Sequence, residues 1–138
     1  MARLAGEKNL ERLLAGMRPS LSPEPYGYAV ASGDAAGLTP FATVREDEGL
    51  TVIAPSDALA AAGLDPGAPF ARITLTVHSD LAAVGLTAAV ATALAQAGLP
   101  ANVVAGHFHD HIFVPWQARV AALEALKALA ALSAGARA

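Results

Sequence analysis

Three of the chain's four histidines lie between residues 107 and 111, in the segment GHFHDHIFVPW. On one continuous strand, His107, His109 and His111 would share a face, because alternate residues of a strand point the same way. Three imidazoles on one face could hold a zinc ion, with Asp110 orienting one of them from behind. A metal site, and with it a metal-dependent enzyme, is therefore one hypothesis for this segment.

The same segment must also contain a turn. VVAG before it and IFVP after it are both typical of strands, so only HFHDH is left to connect them. A tight turn there would rotate the three histidines out of alignment, and Asp110 would occupy a turn position in which aspartate caps its own backbone. We predict a structural turn without a metal ion, and we keep His109 and Asp110 as secondary candidates for ligand contact.

The rest of the sequence offers little for covalent catalysis. The chain has no cysteine, which excludes disulfides and thiolate metal sites. No Gly-x-Ser-x-Gly motif surrounds its serines, and GLTAAV lacks the glycine run and the lysine of a phosphate-binding loop. We therefore expect a protein that is not an enzyme and needs no cofactor.

Composition excludes several broad classes of function. Of the residues, 54% are hydrophobic and 15% are charged, so the chain is too apolar for a disordered segment and should fold. The formal charge of −3 provides no basic surface for nucleic acid. Charged residues interrupt the N-terminal MARLAGEKNLERLLAGMRP, and no stretch approaches roughly 20 uninterrupted apolar residues. We expect a cytoplasmic protein that contacts neither nucleic acid nor membrane.

The second half of the chain alternates strands and helices. ARITLTVH at 71–78 switches between apolar and polar residues, as expected of a half-buried antiparallel strand. A helix is predicted at 82–97, strands at ANVVAGH and HIFVPW, and a last helix at 117–132. This β-α-β-β-α order lacks one strand of a ferredoxin-like unit.

The first half contains strands that could complete that unit. Leucines at three- and four-residue steps predict a helix at 3–16, and YGYAVAS predicts a strand. FATVRE (41–46) and LTVIA (50–54) predict a hairpin. Because LDPGAP is the most linker-like stretch, we divide the chain into an N-terminal segment, 1–69, and a C-terminal domain, 70–138, which fold together and share strands.

Two long stretches resemble a known family. PFATVREDEGLTVIAP and ITLTVHSDLAAVGLTAAVATALAQAGLPANVVAGHFHDHIFVP are similar, in order, to small bacterial ACT-domain proteins of unknown function. More distantly, the layout is similar to the paired ACT domains of cytosolic arginine sensors and of aspartate kinases. The resemblance implies an α+β, ferredoxin-like ACT fold, with an antiparallel sheet and helices mainly on one face. It also implies a regulatory module that binds small ligands, commonly amino acids.

The resemblance places the ligand against the loop between the first strand and first helix of the C-terminal domain, and beside the start of the next strand. The implied ligand-binding residues are His78, Ser79, Asp80, Val84, Gly85, Leu86, Asn102 and Val103. Free N–H groups at a helix N-terminus attract a carboxylate, and a carboxylate side chain can bind an ammonium group. The alternatives are that Ser79 or Asp80 only caps the helix, and that Asn102 only satisfies a strand end.

The charged hairpin tip REDE provides further secondary candidates. Arg45 could hold a ligand carboxylate through two hydrogen bonds, with Glu48 nearby, although such a tip is usually a solvated turn. Together these patterns favour a non-enzymatic regulatory protein that binds an amino acid, forms a homodimer or larger homo-oligomer, and signals to another protein. Two alternatives remain, namely a metal-binding protein or metal-dependent enzyme, and a structural module without a ligand.

Overall fold

The computed structural model describes residues 6–33 and 37–136, within which four α-helices and seven β-strands are found. The helices are α1 (Leu10–Ala15), α2 (Ser56–Ala61), α3 (Leu86–Gln96) and α4 (Arg119–Ala136), the last preceded by a 3-10 turn at Trp116–Ala118. The strands are β1 (Pro19–Leu21), β2 (Tyr26–Ala31), β3 (Ala42–Glu46), β4 (Gly49–Pro55), β5 (Phe70–Leu75), β6 (Asn102–Ala105) and β7 (Asp110–Pro115).

The chain divides into two compact units. The smaller unit is continuous and runs from Pro23 to Ala71, whereas the larger unit combines residues up to Ser22 with residues from Arg72 onward. The boundary expected from the sequence lay between residues 69 and 70, at the end of the linker-like LDPGAP. The larger unit therefore contains a strand, β1, that precedes the smaller unit in the chain.

The larger unit contains a four-stranded sheet in the order β1-β5-β7-β6. β1 runs antiparallel to β5, with Pro19 opposite Leu75, and β6 runs antiparallel to β7, with Ala105 opposite Asp110. Helix α3 connects β5 to β6, and α4 follows β7. This is the predicted ferredoxin-like β-α-β-β-α arrangement, and β1 supplies its fourth strand, so the α+β class is confirmed.

The core of the larger unit follows the sequence periodicity. Ile73 and Leu75 of β5 are buried, while Arg72 and Thr74 beside them are half-buried, as the alternation predicts. Helix α3 buries Leu86, Val90 and Leu94, at four-residue steps along one face. Two further sets complete the core: Ile112, Phe113 and Val114 on β7, and Leu13, Leu14 and Met17 in and after α1.

The first helix is shorter than the sequence indicates. Of the predicted helix at 3–16, residues 3–5 lie outside the described residues, and the helix begins only at Leu10. Asn9 is its N-cap, and the Asn9 side chain accepts a hydrogen bond from the N–H of Arg12 at 3.1 Å. Glu7 is extended instead and forms a β-bridge with Ser79.

None of the helices within the described residues combines the length and the apolar character that a membrane crossing requires.

The smaller unit is a three-stranded antiparallel sheet, β3-β4-β2, with α2 packed against it. The predicted hairpin is confirmed, since β3 and β4 pair on either side of a turn at Asp47 and Glu48. One hydrophobic cluster holds the unit together and contains Ala29, Ala31, Val52, Ala54 and Leu59.

Close packing in the smaller unit makes Gly27 sensitive to substitution. A Cβ atom at this position would overlap the carbonyl oxygen of Pro66 and would lie 2.9 Å from Cδ1 of Leu59. We expect Gly27→Ala to destabilise the protein by about 1–3 kcal/mol, because a carbonyl oxygen cannot move aside as a flexible side chain can. Urea denaturation measures this loss. Gly33→Ala is the control, since nothing lies within 4 Å of its Cβ position, and equal midpoints for the two variants would contradict the expectation.

Candidate functional site

The loop that follows β5 is held in place by the N-terminal segment. The N–H of Glu7 donates to the carbonyl oxygen of His78 at 2.8 Å, and the N–H of Asp80 donates to that of Glu7 at 3.0 Å. A side chain at Gly6 would overlap the backbone of Ser79 and Asp80, so the segment lies directly on the loop. Strand-like hydrogen bonds thus continue beyond the end of β5 and fix the loop backbone.

Asp80 shapes the loop and does not cap the helix. Its Oδ1 accepts a hydrogen bond from the N–H of Ala82 at 2.8 Å, and its carbonyl oxygen accepts one from the N–H of Ala83 at 2.9 Å. This turn delays the helix, which was predicted from residue 82 and begins at Leu86. Gly85 is the N-cap in a left-handed conformation, with φ 101°, and no side chain caps α3. The alternative in which Ser79 or Asp80 caps the helix is therefore wrong.

A serine and an aspartate are buried together beneath this loop. Ser79 is 8% exposed and Asp110 is 9% exposed, and the Ser79 hydroxyl donates to Oδ2 of Asp110 at 3.3 Å. Asp110 is the first residue of β7, so the hydrogen bond joins the loop to the sheet. Burying a carboxylate is costly without such a donor, which explains why a polar residue lies at this point of the loop.

A cavity of about 150 Å³ opens beside this pair. Its walls come from the loop, the start of α3 and the facing ends of β6 and β7; the residues are Ser79, Asp80, Leu81, Ala83, Gly85, Leu86, Thr87, Ala105 and Asp110. The cavity therefore combines two carboxylates with the first turn of an uncapped helix. The lining residues include no lysine, arginine or histidine.

Five of the residues singled out from the sequence meet at this cavity. They are Ser79, Asp80, Gly85, Leu86 and, among the secondary candidates, Asp110. His78, Val84 and His109 do not line it, and Val84 is 83% exposed.

The family resemblance implied that the start of β6 lies beside the loop, but the hairpin register places the end of β6 there. Asn102 is opposite Phe113, whereas Ala105 is opposite Asp110. Because β6 and β7 are antiparallel, Asn102 and Val103 lie farther along the strand, away from the cavity, and do not line it.

Four lining residues were not predicted: Leu81, Ala83, Thr87 and Ala105. Leu81 and Ala83 belong to the loop that the resemblance indicated. Ala105 could have been found from the hairpin, because a turn at His107 and Phe108 pairs it with Asp110.

The histidines do not converge on one point. The N–H of Gly106 donates to the carbonyl oxygen of His109 at 2.8 Å, which closes a two-residue turn at His107 and Phe108. The His107 ring packs edge-on against Phe108, with centroids 4.8 Å apart. In the part of the chain that the structure describes, no three His, Asp or Glu side chains are grouped so that they could hold a metal ion. The structure thus does not supply the three-histidine face on which the metal hypothesis depends.

Asp110 itself differs from its predicted role. It was expected to cap its own backbone in a turn, but it lies two residues beyond the turn, in β7, and is buried. Arg45 and Glu48 lie in the smaller unit, on its exposed hairpin. There the neighbouring Glu46 accepts a hydrogen bond from the Thr51 hydroxyl, which is consistent with a solvated turn.

His111 occupies a polar position on β7. Its Nδ1 lies 3.0 Å from the Thr74 hydroxyl oxygen. Burial, followed by repulsion from the positive charge of Arg72 and by the proximity of His109, lowers the pKa of His111 to about 4. The ring is therefore neutral in the folded protein at pH 7.

This lowered pKa predicts how stability depends on pH. An unfolded histidine titrates near pH 6.5, so between about pH 6.5 and 4 the unfolded chain binds a proton that the folded chain does not. We expect the melting midpoint to fall as the pH drops through this window, and to fall less for His111→Gln. His107→Gln is the control, because His107 is exposed. If the melting midpoints of the wild type and of His111→Gln fell equally as the pH drops from 6.5 to about 4, this expectation would be wrong.

Comparison with known families identifies both halves of the sequence. Two family models, each described as an ACT domain, match the chain, one over residues 5–71 and the other over residues 71–128. None of the curated proteins matches the sequence.

Solved structures resemble the chain over most of its length. A protein of unknown function from Vibrio cholerae, described as a possible transport protein, is 48% identical and has a TM-score of 0.79; the match covers 89% of this chain and 97% of that one. The ligand-free regulatory subunit of aspartate kinase from Thermus thermophilus is 13% identical with a TM-score of 0.64, covering 80% and 95% respectively. A protein from Agrobacterium tumefaciens is 20% identical with a TM-score of 0.57, covering 78% and 84%. The latter two show a shared fold.

Proposed function

Since the chain belongs to the ACT-domain family, whose members are typically regulatory domains that bind small ligands such as amino acids, we propose that it binds an amino acid in the cavity beside Asp110. We further propose that it acts as a regulatory module and not as an enzyme. The observation that carries the proposal is the pairing, in one small cavity, of a buried carboxylate with an uncapped helix N-terminus.

The two ends of the cavity complement the two charges of an amino acid. Asp110 accepts a hydrogen bond from Ser79 at Oδ2, and its carboxylate can accept further hydrogen bonds from a ligand ammonium group. At the start of α3, the N–H groups of Leu86 and Thr87 precede the first intrahelical bond, which Ala89 donates to Gly85. These groups and the helix dipole attract the ligand carboxylate.

We propose that a change in the loop on ligand binding is transmitted to the N-terminal segment. Glu7 is bonded to the loop backbone on both sides of Ser79, and Leu10 lies against Gly85. A ligand that favours one arrangement of this loop would also favour one arrangement of residues 6–10. We propose that a partner reads that change, either an unidentified protein or a second copy of the chain in a homodimer or larger homo-oligomer.

The test is a calorimetric titration with the twenty amino acids, preceded by a thermal-shift screen. We expect at least one amino acid to bind, and Asp110→Asn to weaken it by about tenfold to a hundredfold, because the variant keeps the shape but removes the charge that pairs with the ammonium group. Asp47→Asn is the matched control on the exposed hairpin and should bind as the wild type does.

Two outcomes would contradict the proposal. One is that no amino acid raises the melting midpoint of the folded protein at millimolar concentration. The other is that Asp110→Asn binds with unchanged affinity, which would place the site elsewhere. A shift with zinc alone, reversed by a chelator, would favour the metal hypothesis instead. Gly85 is a poor position for this test, because its φ is 101° and a Cβ atom would lie 3.0 Å from Cδ2 of Leu10, so a substitution would also strain the loop.

A further inference from the structure

The charges around the cavity are unbalanced. Both ionisable lining residues, Asp80 and Asp110, are acidic, and the first turn of α3 contributes a partial positive charge of only about half a unit. This environment can stabilise one ligand carboxylate, at the helix, and one ammonium group. A second carboxylate on the ligand would face Asp80 or Asp110 without a positive partner, so an acidic side chain is disfavoured.

The volume limits the ligand as well. In another protein, a cavity of about 150 Å³ accommodates benzene, which is a molecule of about six non-hydrogen atoms. The present cavity has the same volume, about 150 Å³. The ammonium group, α-carbon and carboxylate that amino acids share would occupy most of this space. Room is left for a side chain of about one or two non-hydrogen atoms.

The wall next to the buried carboxylate is a single methyl group. Ala105 is directly opposite Asp110 across the β6–β7 hairpin, so their side chains share one face of the sheet. Other parts of the wall are also apolar, namely Leu81, Ala83 and Leu86. The hydroxyl proton of Ser79 is donated to Asp110, so Ser79 can only accept a hydrogen bond from a polar ligand side chain.

From these three observations we infer that the cavity selects a small α-amino acid with an uncharged side chain, of the size of alanine or serine, and that Ala105 is the specificity-determining residue. This inference rests on the proposed function. It assigns Ala105 a role in setting the size limit beside the ligand's ammonium group, because Ala105 lines the cavity opposite Asp110 and its side chain there is only a methyl group.

The experiment compares dissociation constants for glycine, alanine, serine, leucine, arginine, asparagine and aspartate. For the wild type we expect alanine or serine to bind at least about tenfold more tightly than leucine or arginine. Asparagine and aspartate have the same shape and differ in charge, so aspartate should bind at least about tenfold more weakly than asparagine. Ala105→Val should weaken alanine binding by at least about tenfold and glycine binding less, because valine adds two methyl groups to the wall. Valine also suits a strand, so the fold should be retained.

Ala42→Val is the matched control, since it makes the same change on β3 of the smaller unit, and its affinities should equal those of the wild type. Leucine or arginine binding as tightly as alanine would overturn the size limit. Equal affinities for aspartate and asparagine would overturn the charge argument, and an Ala105→Val variant that binds alanine normally would remove the role of Ala105. In each of these cases an amino acid still binds, and the proposed function stands. If no amino acid binds the folded wild type, the proposed function fails and this inference fails with it.

Discussion

The larger unit depends on backbone hydrogen bonds that the N-terminal segment forms along β5 and the loop after it. Ser22 and Met17 bond to residues in and just after β5, at 2.9 Å and 2.8 Å, and Glu7 bonds on both sides of Ser79. A strand edge and an ordered loop leave N–H and C=O groups that must find partners, and here residues 7–22 supply them. The positions of Ser79, Asp80 and Gly85 follow from this pairing, so the cavity is shaped by residues that do not line it.

The chemistry of the cavity comes from residues and not from the fold alone. The structural likeness to an aspartate kinase regulatory subunit, at 13% identity, shows a shared architecture. In this chain a hydrogen bond joins Ser79 to a buried Asp110 next to a helix start without a side-chain cap. A low-dielectric site of this kind strengthens attraction to a matching charge and increases the cost of an unmatched one.

Much of the fold could be predicted from the sequence, because periodicity reports burial directly. The alternation in β5 is present as predicted, and most of the helix predicted at 82–97 forms, with Leu86, Val90 and Leu94 buried along one face. The loop residues of the site were found through the family resemblance. The predictions were wrong where a single hydrogen bond or the register of a hairpin determines the local structure. The side chain of Asp80 closes a turn, so α3 begins later than predicted. The turn at 107–108 sets the register of the β6–β7 hairpin, which places Asp110 in a strand opposite Ala105 and leaves Asn102 farther along β6, away from the cavity. Neither the turn at Asp80 nor the hairpin register produces a periodic pattern in the sequence.

A unit assembled from both ends of the chain also has a kinetic consequence. Arg18 and Thr76, which are joined by a hydrogen bond, lie 58 positions apart in the sequence. Contacts of such high sequence separation form slowly, because a long loop must close before they contribute stability. During synthesis, at about 5–20 residues per second, β1 would wait roughly 3 to 12 seconds before its partner strand left the ribosome. In that interval the continuous smaller unit is translated in full, so the order of translation favours it as the first part to fold.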